Sequence, residues 1–81
     1  MRFSSFIPSD PLTGKPRIIL TGREMLLIEQ HRGVISYTTD RLIVRMQQGR
    51  LHVQGHSLLL QAYEKQDLCV SGEIISLEFV P

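Results

Sequence analysis

The 81 residues of this chain, 42% of them hydrophobic and with a net charge of +1, make one domain and contain no run near the roughly 18 apolar residues of a membrane-spanning helix. The single cysteine, Cys69, excludes an internal disulfide, and with no charged-then-apolar leader the chain is expected to be soluble, unexported and cytoplasmic. A chain this short buries only about 60% of its unfolded surface, so self-association is expected as well.

Residues 1–16 hold three of the four prolines together with Ser4, Ser5, Ser9 and Gly14, and they show no sustained periodicity. They are predicted to form a flexible or extended arm, with Phe3, Phe6 and Ile7 as its means of docking, ahead of a single domain over 17–81. Charge is unevenly spread: residues 1–50 carry eight Lys or Arg against four Asp or Glu, and residues 51–81 carry one against four. Seven of the nine basic residues are Arg, whose planar fork suits carboxylate or phosphate partners.

From Arg17 onward short runs alternate apolar and polar residues, with Gly22, Gly33, Asp40, Gly49, Gly55 and Gly72 as punctuation. The predicted strands are 17–21, 24–29, 34–38, 41–47, 50–54, 57–63, 67–71 and 73–80. Seven or eight short strands with turn residues between them, and no window of helical period, argue a small all-β antiparallel sandwich or barrel.

One pattern, apolar-x-apolar-x-Gly-x-x-apolar-x-apolar, occurs at Leu51–Leu60 and again at Leu68–Leu77, and Ile18–Leu27 fits it too. The step across the glycine, Val53 to Leu58 or Val70 to Ile75, is odd, so an unbroken strand would turn its second apolar set outward. Bulges or bends at Gly22, Gly55 and Gly72 are predicted to restore the facing. The expected core is Leu42, Val44, Met46, Leu51, Val53, Leu58, Leu60, Leu68, Val70, Ile75, Leu77 and Phe79.

If Gln48-Gly49 is a two-residue hairpin turn, Met46 faces Leu51 and Val44 faces Val53. The other face then gathers Arg41, Ile43, Arg45, Arg50 and His52, with Gln54 beside them. Three arginines and a histidine around an outward isoleucine make this the predicted partner-binding patch, since interfaces favour Arg around an apolar anchor.

The segment Ile28-Glu29-Gln30-His31-Arg32-Gly33 is preceded by Pro16-Arg17 and Gly22 and followed by Tyr37, Gly49, Gly55 and the ending Val70-Ser71-Gly72-Glu73-Ile74-Ile75-Ser76-Leu77-Glu78-Phe79. In this order and spacing, from Pro16 to Phe79, the chain resembles the YabP/YqfC family of sporulation proteins, and its YqfC branch more closely. The resemblance implies a mother-cell protein of endospore-forming bacteria with an immunoglobulin-like β-sandwich and no known enzymatic activity. It also implies a membrane-anchored protein partner, which would hold the chain at the membrane surface. Gln30 departs from the pattern, which usually has Asn there. Asn tolerates left-handed geometry and closes turns on its own backbone. Within this turn, Glu29, His31 and Gly33 are expected to brace the loop, the carboxylate accepting turn N–H groups and the imidazole bonding a backbone carbonyl.

Neither a metal nor a cofactor is expected. His31, His52, His56 and Cys69 lack zinc-ligand spacing. Ser57, Ser71 and Ser76 lack a nucleophile elbow, and no glycine opens a phosphate-cradling loop, so no enzymatic site is predicted. A second reading, from another class, is an RNA-binding Sm-like small barrel: Arg45–Gly55 and Val70–Ile75 faintly resemble its two motifs. The Asp and Asn that read RNA have no counterparts, Ser71 stands where Arg is expected, and stacking aromatics are scarce. Protein is therefore the expected partner.

Overall fold

Period-two alternation does produce strands here, and they pair only with antiparallel neighbours. The computed structural model describes residues 15–81, so the predicted arm lies outside the described residues except for Lys15 and Pro16. Six strands follow: β1 (Arg17–Thr21), β2 (Met25–Glu29), β3 (Val34–Tyr37), β4 (Arg41–Arg45), β5 (Arg50–Tyr63) and β6 (Asp67–Val80). They form a single antiparallel sheet in the order β1-β2-β6-β5-β4-β3. The all-β antiparallel class is as predicted. The strand count is six rather than seven or eight because 50–54 and 57–63 are one bent strand, and so are 67–71 and 73–80.

Pairing divides the sheet into two leaves. β2 pairs only with the first part of β6, from Glu29↔Asp67 to Met25↔Ser71, and β4 only with the first part of β5, from Arg45↔Arg50 to Arg41↔Gln54. The two long strands pair with each other from Arg50↔Val80 to Tyr63↔Leu68. One leaf is thus β1, β2, the first half of β6 and the second half of β5; the other is β3, β4, the first half of β5 and the second half of β6. Leu26, Ile28, Leu68 and Val70 from the first leaf and Leu42, Val44, Leu51 and Val53 from the second are all fully buried in one cluster. A flat sheet cannot seal one face from water, so the leaves fold over each other like the layers of a sandwich. Both layers belong to one hydrogen-bonded sheet, in place of the two separate sheets of an immunoglobulin-like sandwich. With β1 and β3 at its ends the sheet stays open, so the small closed barrel of the second reading does not form.

The folding-over is localised by three irregularities in the β5–β6 ladder. Ile75 is extra on β6, between Gln54↔Ser76 and Gly55↔Ile74. Ser57 and Leu58 together oppose Gly72, between His56↔Glu73 and Leu59↔Ser71, with Ser57 at φ 53° and Gly72 at φ 128°. Gln61 is extra on β5, between Leu60↔Val70 and Ala62↔Cys69.

These positions correct part of the predicted facing. In β5 the odd step from Val53 to Leu58 is absorbed at Ser57 rather than at Gly55, whose φ is not left-handed. Gly55 is needed for space instead: a Cβ there would strike the Glu73 carbonyl oxygen. In β6 the extra residue is Ile75 rather than Gly72. Ile74 therefore faces the core and Ile75 stands out, 56% exposed. Phe79 is 68% exposed, because it lies near the end of β6, past Ile74 and half-buried Leu77. Leu26, Ile28 and Ile74 join the core in their place. Gly22, at φ 58°, sits in the β1–β2 turn rather than in a bent strand.

The β4–β5 hairpin register differs by two from the expected one. Val44 faces Leu51 and Leu42 faces Val53, because Met46 through Gly49 form a four-residue connection closed by the Met46 N–H donating to the Gly49 carbonyl at 2.9 Å. A shift of two leaves every side chain on its predicted face.

Valine at Gly72 combines a strained torsion with a Cβ 3.0 Å from the Leu58 Cα, and is expected to destabilise by more than about 2 kcal/mol. Leu51→Ala is expected to cost about 2 to 5 kcal/mol and Phe79→Ala less than about 1 kcal/mol. Urea denaturation midpoints check all three, and a Phe79 variant as damaging as the Leu51 variant would contradict the facing described.

Candidate protein-interaction face

Two groups of predicted site residues occupy different parts of the molecule. After β2 the chain reverses through Gln30, which adopts a left-handed φ of 65°. The reversal drives His31 inward until it is 2% exposed. Its Nε2–H donates to the Glu64 carbonyl at 2.8 Å, while Nδ1 accepts the Gly33 N–H at 3.0 Å. The His31 N–H itself donates to the Gln66 carbonyl at 3.0 Å. Tyr63 lies against the ring, the two centroids 5.5 Å apart. The imidazole therefore ties the β2–β3 loop to the β5–β6 turn.

Glu29 does something else. Its Oε1 lies 3.8 Å from the Arg17 Nε across the β1–β2 pair and, although sealed from solvent, accepts no hydrogen bond. It braces β1 rather than the turn. No three His, Cys, Asp or Glu side chains among the described residues are grouped so as to hold a metal ion.

The patch residues come together on the outer face of the second leaf. Cross-strand partners share a face, so the register gives three rows: Arg41, Gln54 and Ser76; Ser36, Ile43, His52 and Glu78; Arg45, Arg50 and Val80. Arg41, Arg45 and Arg50 are exposed, whereas Ile43 and His52 are half-buried. The Arg41 Nη2 lies 3.4 Å from the His52 Nδ1, and the His52 Nε2 is sealed from solvent without a hydrogen-bond partner. One acidic residue, Glu78, joins the face from β6. Hairpin reasoning missed it because β6 lies 26 residues from His52 along the chain.

Arg45 stands directly opposite Arg50, a like-charge pairing that destabilises a sheet. Arg32 is drawn to the same end, its backbone N–H donating to the Arg45 carbonyl at 2.8 Å. Among the described residues no carboxylate forms an ion pair with Arg32, Arg41, Arg45 or Arg50.

The outer face of the first leaf is of opposite character. Ile19, Leu27, Cys69 and Ala62 form one row across it, with Met25 and Leu59 in the next. Cys69 is half-buried here, and its thiol lies 3.1 Å from the Met25 Sδ.

The sequence matches the YabP family over residues 13–81, most of its length. The chain belongs to the YabP family. The uncharacterized protein YqfC of Bacillus subtilis (strain 168) is 27% identical to it over 74 residues, covering 91% of this chain and 80% of that protein. No solved structure matches. In this YabP-family chain the turn at Gln30 and His31 is a structural corner, and Arg41, Arg45 and Arg50 lie on a separate, solvent-facing leaf. No described helix is long and apolar enough to cross a membrane.

Gln30 keeps the left-handed turn with a side chain poorly suited to it. Gln30→Asn is expected to raise stability by up to about 1 kcal/mol, since Asn accepts that geometry more readily. His31→Phe keeps the ring but leaves the Glu64 carbonyl and Gly33 N–H unpaired, and is expected to lower stability by about 1 to 3 kcal/mol. Thermal unfolding of both variants reads the two effects, and an unchanged midpoint for His31→Phe would remove its bracing role.

Proposed function

We propose that this YabP-family protein acts in sporulation without catalysing a reaction, as an adaptor or assembly component that binds a membrane-anchored protein in the mother cell. The sporulation setting rests on the family. The binding role rests on one observation: Arg41, Arg45 and Arg50 lie exposed on one sheet face with no ion-pair partner among the described residues. A fold gains nothing from keeping two arginines directly opposed, whereas a partner with negative charge gains affinity and orientation from them. Half-buried Ile43 and His52 give that face a firm centre. The protein would sit at the membrane surface only through its partner.

The charge-reversal variant Arg41→Glu/Arg45→Glu tests this reading. Exposed charges contribute little to stability, so the variant is expected to unfold within about 1 kcal/mol of the native protein. It is also expected to lose capture of a membrane protein from detergent-solubilised sporulating cells and to impair spore formation. Normal sporulation together with undiminished capture would show that the face is merely solvated.

A further inference from the structure

Deepening the reading of the basic face as an interaction surface, and resting on it, we infer that the groove between Arg32, Arg45 and Arg50 binds an acidic, extended peptide segment of a protein partner. The groove lies where the β2–β3 loop, the start of β3 and the β4–β5 connection meet, with a volume of about 740 Å³, and its lining includes Ile35 besides the three arginines. Among the described residues no acidic one lines it. Three arginines therefore border one concave space, with no acidic side chain of the described residues in its lining.

The backbone enforces that convergence. The Arg45↔Arg50 register holds two like charges on adjacent strands, where a sheet is weakened by them. The Arg32 N–H to Arg45 carbonyl bond and the Arg45 N–H to Gly33 carbonyl bond, each 2.8 Å, fix the third beside them. An entering carboxylate relieves the repulsion and accepts paired N–H groups from a guanidinium fork.

A peptide fits better than a nucleic acid for two reasons. Ile35 is 44% exposed, and it offers an apolar seat for a neighbouring side chain of the ligand. Among the described residues the lining holds no aromatic ring, and single-stranded nucleic acid is bound chiefly by stacking on such rings. Ile35 also belongs to β3, an edge strand whose outer side has no strand partner among the described residues, so extended backbone can approach it.

Fluorescence anisotropy on the full chain tests the inference, with a labelled peptide of about eight residues alternating Glu and Val, its Glu-to-Gln counterpart, and oligouridylate as probes. The acidic peptide is expected to bind, the Gln peptide to bind at least about tenfold more weakly, and Arg45→Gln/Arg50→Gln to weaken the acidic peptide by about tenfold or more. Arg23→Gln, at an exposed arginine of the β1–β2 turn that does not line the groove, is expected to change binding by less than about twofold. The Arg45→Gln/Arg50→Gln variant is expected to unfold at or above the native midpoint, since it removes a repulsion. The inference is overturned by absence of peptide binding, by equal binding of the Gln peptide, by an equal loss from Arg23→Gln, by tighter binding of oligouridylate, or by a lowered unfolding midpoint. If the peptide fails while charge reversal at Arg41 and Arg45 still abolishes capture of the membrane protein, the groove is excluded and the interaction face stands. If both fail, both fall.

Discussion

The ladder between β5 and β6 is the constraint on which everything else depends. It is the only pairing that runs through both leaves, and its three irregularities decide where the sheet turns and which side chains face inward. One close approach is the crossing of Ser57-Leu58 with Gly72, where the Gly72 position lies so near the opposing backbone that a Cβ has no room. Gly55, four residues before Leu59 on the same strand, is closed in by the Glu73 carbonyl in the same way. Two strands that approach this closely can bend together while keeping their hydrogen bonds on either side, so one sheet supplies both layers of the core.

The two outer faces follow from that arrangement. Once bending has fixed which residues of β5 and β6 point inward, the remaining alternate positions are assigned by register, and the leaves differ because their partner strands differ. β4 brings Arg41 and Arg45 to one leaf; β1 and β2 bring Ile19, Leu27 and Met25 to the other. The basic character of one half of the sequence thus becomes a surface property in part only, since acidic Glu78 from the opposite half lies in the middle row of the basic face. The His31 corner lies apart from it, pinning the β2–β3 loop through bonds to carbonyls at positions 64 and 66. That loop delivers Arg32 and Ile35 to the arginine groove, so a structural brace and the proposed binding surface share a short stretch of chain.

Local pattern made the strands, the all-β class and the gathering of Arg41, Arg45 and Arg50 on one face legible. Two features made that reading robust. Alternation assigns faces without knowledge of partners, and an error of two residues in the Gln48-Gly49 hairpin does not change a face. What local pattern could not supply was the cross-strand partner of each bend. The odd step from Val53 to Leu58 announces a bulge, but its place at Ser57 depends on Gly72, which is remote in sequence. The same step from Val70 to Ile75 was misleading, because the extra residue is Ile75 itself and the inward side chain is Ile74. Similarly, Gly55 carries the glycine signal for reasons of crowding rather than torsion. The brace at His31 was readable as a type of contact, and its acceptor was not, since Glu64 belongs to another turn.

Nuclear Overhauser contacts in solution test the folded single sheet most directly. The account predicts Cα–H contacts linking Gln54 with Ser76 and Leu59 with Ser71, a ladder interrupted at Ile75, and methyl contacts between Leu26 or Ile28 of one leaf and Leu42 or Val44 of the other. An uninterrupted ladder in which Gly55 faces Ile75, with no methyl contact between the leaves, would contradict it.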